Sequence, residues 1–402
     1  MRVALIVPGF SADEADWCIP ALLNFARALA QRVELEIFTL RYPHRRDRYR
    51  IGNAAVYSLG WAQRRGPHSP RLWWSAIQAI RTRHREAPFD CLHAIWADEP
   101  GWIGAVCAQQ LGLPLVVSLA GGELSRLPVI DYGLQRHQFQ GRFIHWTLAR
   151  ANLVTAGSRY MLDLARPHVL GSQRLVLAPL GVDRDRFAPA HGAANEGAGA
   201  SKTEPKSSIS LPELHVRNEP LQMINVGSLA AVKGHALLLR AMRHVADELP
   251  ESRLRIVGEG PLQSALRRQV AELELTRQVT LDGAVDHAQL PHMYRTADLF
   301  VQTSLHEAEG MAVLEAAACG LAAVGTGVGV LPELAERGAG MTTPADDRAL
   351  AAAVLTLLRD PMRRVRMAHA ARTAILDFYC VDTCVTRFIE GYSAIAARRL
   401  PS

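Results

Sequence analysis

Short apolar runs alternate with longer amphipathic stretches along the chain, and the alternation is broken once. In the first half, strand-type runs fall at residues 3–7, 35–40, 54–59, 91–95, 115–119, 153–156 and 175–178. Between them a 3.6-residue period predicts helices over 19–31, 72–85, 102–111, 139–149 and 158–165. Strand and helix in turn are the mark of βαβ units, so the expected fold is α/β with a doubly wound parallel sheet and right-handed crossovers. From His191 to Asn218 the pattern stops, and a small, polar stretch bearing Gly, Ser and Pro follows. That composition predicts a flexible linker or insertion between two domains. The alternation then resumes, with strands at 222–226, 253–257, 279–281, 299–302 and 321–324. Helices are expected at 235–249, 262–273, 289–295, 311–319 and 345–358, and a long one covers 381–399. The expected units are residues 1–190, the linker 191–218, a second domain 219–380 and a terminal helix 381–402.

Length supports this division, since 402 residues exceed one ordinary core. The start of the chain is a short β-type run without a charged leader or cleavage site, which predicts a cytoplasmic protein. Residues 100–122 carry no charge, but Gln109, Gln110, Gly112 and Pro114 divide them into a helix and a strand. They read as a buried βα unit, not a membrane span. Six cysteines lie mostly in apolar segments without metal-type spacing, so reduced structural thiols are expected and no metal site. The net charge of +6 is concentrated: between Arg41 and Arg85 stand eleven arginines and one acid, Asp47, interleaved with aromatic residues. Such a stretch fits anionic lipid headgroups or a phosphate-bearing acceptor, and equally a solvated face in a chain with three lysines. Nucleic acid is not expected, because no recognised binding module accompanies the charge.

The densest chemistry follows the run at 299–301. Glu307 and Glu315 are separated by seven residues, with Gly310 between them, and Ala-rich sequence then forms a helix ended by Gly320. With Glu307 in the strand-to-helix turn and Glu315 in the helix, the carboxylates stand about 10 Å apart. The free amides of Gly310, Met311 and Ala312 lie between them at a positive helix end. This suits a ligand with hydroxyls at both ends and an anionic centre, the shape of a sugar nucleotide. The plainer alternative is two exposed helix-end glutamates. Lys233 follows the strand at 222–226 just before a helix, where a lysine can neutralise a diphosphate leaving group. No G-x-G-x-x-G follows the first strand, which rejects a dinucleotide dehydrogenase.

The E-x7-E spacing within S-x-x-E…G-x-x-V-L-E-A-x-A-C-G resembles the donor motif of family 4 glycosyltransferases, which have the GT-B fold. Further pieces recur in order: V-P-G at 7–9, P-L-G-V-D at 179–183, V-G-S-L…V-K-G-H at 226–235, V-G-E-G-P-L at 257–262 and G-V-G-V-L-P-E-L at 327–334. The resemblance implies two Rossmann-like domains facing a central cleft, with the last helix crossing back to the first domain. It implies a retaining, metal-independent transfer from a nucleotide diphosphate sugar, without other cofactor, to a sugar or lipid-linked acceptor in polysaccharide or glycolipid synthesis. Peripheral contact at the inner membrane face would run through the Arg41 to Arg85 stretch.

Residue by residue, the resemblance places Glu307 at the donor sugar, Glu315 at the ribose, and Lys233 and the amides of Gly310, Met311 and Ala312 at the phosphates. Glu307 and Lys233 would carry catalysis. Gly9, Gly227, Ser228, Gly258 and Glu259 would complete the nucleotide-sugar wall. Asp13, His93 and Glu123 are acceptor-side candidates, though Asp13 also reads as a solvated charge and His93 as a core residue. Two positions depart from the family. Ser228 stands where an arginine is usual, and Ala120 where the T-x-H-G-x-D-L histidine would be. The alternative they raise is a catalytically impaired GT-B protein that binds sugar nucleotides or serves as a scaffold.

Overall fold

The structure is a computed structural model and describes residues 1–61, 69–169, 174–190 and 220–397. The linker expected at 191–218 lies outside them. Eight strands form the first sheet: β1 (Arg2–Gly9), β2 (Glu34–Tyr42), β3 (Arg46–Ile51), β4 (Ala54–Leu59), β5 (Cys91–Ile95), β6 (Leu115–Leu119), β7 (Leu153–Ala156) and β8 (Leu175–Leu177). Their order is β3-β4-β2-β1-β5-β6-β7-β8, parallel throughout except for β3 against β4. Central β1 is apolar along nearly its whole length because helices cover both of its faces. α1 (Pro20–Ala30) packs on one face, while α2 (Ser69–Glu86), α3 (Glu99–Leu111), α4 (Gln138–Arg150) and α5 (Arg159–Ala165) pack on the other. Residues 100–122 are indeed helix then strand, and among the described residues no helix is long and apolar enough to cross a membrane.

The second sheet has the order β11-β10-β9-β12-β13-β14, all parallel. Its strands are β9 (Gln222–Val226), β10 (Arg253–Val257), β11 (Val279–Gly283), β12 (Leu299–Gln302), β13 (Ala323–Thr326) and β14 (Gly340–Thr343). Around it lie α6 (His235–Glu248), α7 (Gln263–Glu272), α8 (Leu290–Thr296), α9 (Met311–Ala318), α10 (Leu331–Glu336), α11 (Asp347–Arg359) and α12 (Pro361–Ala374). Four elements, β3, β14, α10 and α12, stand where the pattern predicted none. β3 alternates exposed arginines with partly covered residues at a sheet edge, so charge masks its strand period. α12 buries only Met367, Ala371 and Ala374, too few for a visible stripe. Its start was marked instead by Asp360, which accepts from the Arg363 amide at 2.8 Å, and by Pro361 in the first turn.

The two crossing segments are tied to each other. The Val182 amide donates to the Tyr379 carbonyl at 2.9 Å, and the Val381 amide donates back to Val182 at 3.0 Å. α13 (Val381–Ala397) then returns to the first domain and lies on α1. Its Val385, Phe388 and Tyr392 are fully buried with Leu5, Phe25 and Ile95. The last helix is therefore part of the first domain's core. Phe388→Ala is expected to lower stability by about 3–5 kcal/mol through the cavity it leaves. Denaturant unfolding followed through the first domain checks this, and a loss below about 1 kcal/mol would mean that α13 is only loosely docked.

Candidate active site

At the carboxyl ends of β9 and β12 the chain leaves a cleft of about 350 Å³ between the sheets. This is where open α/β sheets bind ligands. After β9 a single helical turn carries Lys233, and Gly234 at φ +67° turns the chain into α6. Any side chain at Gly234 would run into the Thr303 carbonyl, so the turn sits directly against the loop after β12. That loop carries Glu307. Lys233 Nζ donates to Glu307 Oε1 at 2.6 Å, and Ser304 Oγ donates to the same oxygen at 2.7 Å. Gly310, at φ +100°, opens α9 in a conformation that L side chains resist. Among the described residues, the amides of Gly310, Met311 and Ala312 donate to nothing. They line the cleft as a bare positive helix end.

One turn into α9, Glu315 reaches the same cleft, and both of its oxygens are engaged. His287 Nε2 lies 3.1 Å from Oε1, and the Tyr294 hydroxyl donates to Oε2 at 3.0 Å. His287 is stacked in turn on Trp17 of the first domain, with ring centroids 5.1 Å apart. The first domain closes the cleft with Ile19, Ala21, Trp96, Ala120 and Leu180. Lys233 is the single cation among the described residues that line it.

Sequence reasoning missed the groups through which the loop after β12 grips the first domain. His306 lies between the Ser125 hydroxyl (2.9 Å), the Tyr160 hydroxyl (3.0 Å) and the Gly121 carbonyl (3.0 Å). Burial holds its imidazole below the usual range, hence neutral. Glu309 accepts from the amides of Leu180 at 3.1 Å and Gly181 at 3.3 Å. Burial pushes its carboxyl up to about 7, against the opposite pull of those two amides. The Ser158 hydroxyl donates to the Ala308 carbonyl at 2.6 Å. The only signal in the sequence was position: all three flank Glu307 inside the motif.

Of the expected residues, Gly227, Lys233, Glu307, Gly310, Met311, Ala312 and Glu315 come together on one cleft. Ser228 and Glu259 are exposed on the turns beside it, where the Leu229 amide donates to the Glu259 carbonyl at 2.8 Å and Gly258 packs on Gly227. Gly9 packs on Tyr42 at the β1–β2 irregularity and does not line the cleft. The three acceptor-side candidates each have partners of their own. His93 is fully buried in β5 between the Tyr392 hydroxyl and Ser118 Oγ, both at 2.7 Å, and burial drives it down to about 3. It is a neutral core residue. Glu123 is buried, and its carboxylate accepts from the amides of Ala120 (3.2 Å) and Gly121 (2.7 Å), bracing its own loop. Asp13 is exposed but accepts from the amides of Ala15 and Asp16, holding a turn.

The basic stretch is also not one face. Arg41 is buried in an ion pair with Glu99, Arg83 is paired with Glu36, and residues 62–68 lie outside the described set. A second depression, about 560 Å³, is lined by Met1, Glu34 and Asp90, at the amino ends of β1, β2 and β5. It is open, and at the wrong end of the sheet for ligand binding.

Comparison with known proteins agrees with this fold. The family described as "Glycosyl transferases group 1" matches residues 209–374, and "Glycosyl transferase 4-like domain" matches residues 19–181. The chain is 29% identical to D-inositol 3-phosphate glycosyltransferase of Kineococcus radiotolerans over 389 residues, covering 88% of this chain and 85% of that one. It is 29% identical to the GDP-mannose-dependent alpha-(1-6)-phosphatidylinositol monomannoside mannosyltransferase of Mycolicibacterium smegmatis, covering 73% and 75%. Among solved structures, sucrose-phosphate synthase from Thermosynechococcus elongatus superposes with a TM-score of 0.80 at 20% identity, covering 99% of this chain and all of that one. HepE of Anabaena, in complex with UDP and glucose, gives 0.71 at 18% identity, covering 98% of this chain and all of that one.

Glu309 yields a pH prediction. Its carboxyl binds a proton more tightly folded, at about 7, than at its ordinary 4.5. Its contribution to stability is therefore fully present below about pH 4.5 and lost as pH rises through 7. Glu309→Gln removes that titration but keeps an oxygen to accept from Leu180 and Gly181. Thermal melts from pH 5 to pH 8 should fall less in this variant than in the parent. Parallel curves would show that Glu309 stays ionised throughout.

Proposed function

We propose, from the premise that this chain belongs to the family 4 glycosyltransferases of the GT-B fold, that it takes its sugar from a nucleotide diphosphate sugar held in the cleft around Lys233. The observation that carries this is the convergence of one cation, a bare helix end and two carboxylates with the spacing such a donor needs. The diphosphate takes Lys233 and the amides of Gly310, Met311 and Ala312. Ribose hydroxyls take Glu315, displacing His287 from it. Once Lys233 turns to phosphate, Glu307 is released to accept from donor-sugar hydroxyls.

The chemical step breaks the bond between the anomeric carbon and the phosphate oxygen, and the nucleoside diphosphate leaves with the electron pair. An acceptor hydroxyl forms the new bond from the face the phosphate leaves, so configuration is retained. Its proton passes to the departing phosphate oxygen, the nearest base on that face. The main demand is charge stabilisation on the diphosphate, which Lys233 and the helix end meet without a metal. The acceptor is a sugar or lipid-linked sugar entering past Trp96 and Ala120. Activity rather than a scaffold role is favoured by the convergence of Lys233, Glu307, Glu315 and the bare α9 amides on one cleft.

Thermal shift with UDP, GDP, ADP and dTDP, and with their common sugars, tests the donor class. Binding at 100 times the dissociation constant adds about 2.7 kcal/mol, and no shift with any of them would refute the donor assignment. Lys233→Ala should weaken nucleotide binding roughly 10- to 100-fold, the worth of a charge-assisted contact. Glu307→Ala should cut turnover by about 10²-fold or more with smaller loss of nucleotide affinity. Glu315→Ala should mainly weaken the nucleotide. Parental affinity in Lys233→Ala would place the phosphates elsewhere. Ser228→Arg should raise turnover if the missing cation limits the reaction.

A further inference from the structure

Trp17 stands in the loop between β1 and α1, at the rim of the first domain's apolar cluster, and reaches across to the second domain. Its indole is stacked on His287 with an interplanar angle of 25°. Two guanidinium groups lie over the same indole, Arg186 at 4.1 Å and Arg27 at 5.5 Å from the ring centroid. The Phe187 ring meets His287 edge-on at 5.4 Å and lies 6.1 Å from Tyr294. His287 and the Tyr294 hydroxyl are the two partners of the Glu315 carboxylate, so these rings close a circuit around it. The circuit draws on the first domain, the crossing segment at 186–187 and the second domain.

Glu315 lines the cleft but is only 7% exposed. One of its oxygens is taken by His287 and the other by Tyr294, so incoming hydroxyls reach the carboxylate only when a partner moves aside. Tyr294 is fully buried in the second domain's core. His287 is held differently. It sits on a turn, and its Nδ1 is buried without a hydrogen-bond partner among the described residues. An unpaired buried nitrogen costs free energy, so the pose of His287 is not secured by its own hydrogen bonds. Packing secures it, and the larger of the two rings against it comes from the other domain. A stack between aromatic rings shifts an equilibrium roughly two- to tenfold.

We propose that Trp17 is a positioning residue of the donor site: it holds His287 on Glu315 and keeps that carboxylate covered until a nucleotide displaces the imidazole. That the incoming group is a ribose rests on the glycosyl-transfer reading; the shielding of the carboxylate does not. A contact that only joined the domains would not need to end on a carboxylate of the cleft. This one does, so uncovering Glu315 and breaking the Trp17 stack are one event. The fraction of chains with His287 displaced then sets the apparent affinity, and weakening the stack raises it. A residue that touched the nucleotide would give the opposite sign, since its loss lowers affinity. The ring's place is fixed from the first domain. Its loop is tied to the β3–β4 hairpin, where the Tyr49 hydroxyl donates to the Ser11 carbonyl at 2.7 Å and the Gly52 amide to Glu14 at 2.6 Å.

Carboxyl footprinting of the nucleotide-free chain, with a carbodiimide and glycine ethyl ester, reads the shielding directly. Glu259, exposed beside the cleft, serves as internal reference. Labelling of Glu315 should be slow in the parent and roughly two- to tenfold faster in Trp17→Leu. Trp17→Phe keeps a ring against His287 and should stay within about twofold of the parent. Arg186→Gln spares the ring but removes a cation from over it, and should speed labelling about twofold. Calorimetric titration with UDP, GDP, ADP and dTDP reads the gate. Whichever diphosphate the parent binds should bind Trp17→Leu roughly two- to tenfold more tightly. Labelling of Glu315 at the parental rate in Trp17→Leu would overturn the proposal. Faster labelling with parental or weaker nucleotide affinity would overturn it too, as the mark of a ring that contacts the nucleotide. Faster labelling with no diphosphate bound by any chain would uphold the shielding and refute the donor assignment instead. If Trp17→Leu folds poorly, the same readouts in Arg186→Gln decide, and parental values in both overturn the proposal.

Discussion

The 2.6 Å pair between Lys233 and Glu307 joins the two loops on which the site depends. One loop leaves β9 and the other leaves β12, neighbours in the second sheet, so parallel pairing brings their carboxyl ends side by side. Both side chains remain partly open to the cleft, which moderates the attraction and leaves each able to change partner. A more deeply buried pair would be costly to break, because a lone buried charge is poorly tolerated. The pair offsets one carboxylate in a cleft whose described lining contains no other cation.

The same loop holds the domains to one another. Within five residues of Glu307 it places Ser304 on the carboxylate, His306 among Ser125, Tyr160 and Gly121, Ala308 under the Ser158 hydroxyl, and Glu309 on the amides of Leu180 and Gly181. The Lys233–Glu307 pair and the interdomain contacts therefore share one backbone, with Glu307 one or two peptide units from His306, Ala308 and Glu309. The helix α9 is tied as well, since Glu315 holds His287 and His287 lies on Trp17. Glu315 thus has a chain of side chains leading into the opposite domain, whereas Glu307, held by Lys233 and Ser304, is joined to it through its backbone neighbours.

What was legible in the sequence follows from how far apart the interacting residues are. The parallel-sheet pattern was readable because each strand and helix carries its own apolar period. That Glu307, Gly310 and Glu315 meet on one cleft was readable because they lie within nine consecutive residues, where spacing limits which can share a helix end. The partners of His93 were not legible for the opposite reason. The hydroxyl that claims His93 belongs to Tyr392, 299 residues further on, and its burial depends on a helix that returns from the other domain. Nothing near His287 marks it as the partner of Glu315, since the contact crosses from the turn after β11 to α9. Edge strand β3 was hidden by its arginines, because the period-2 signal requires an apolar face and this strand has only Ile51 fully covered.

Positive charge stands largely outside the cleft. A chain with a net charge of +6 leaves one lysine in its cleft, and Ser228 occupies a position that could have carried a second cation. Six arginines are instead mounted on α2 and α4, on the side of the first domain away from α1 and α13. Charges so far from the donor contribute little to holding a diphosphate across a Debye length of about 8 Å at physiological salt. On the proposed reading, stabilisation of a diphosphate would rest on contact, through Lys233 and the bare amides of α9, and not on a long-range field.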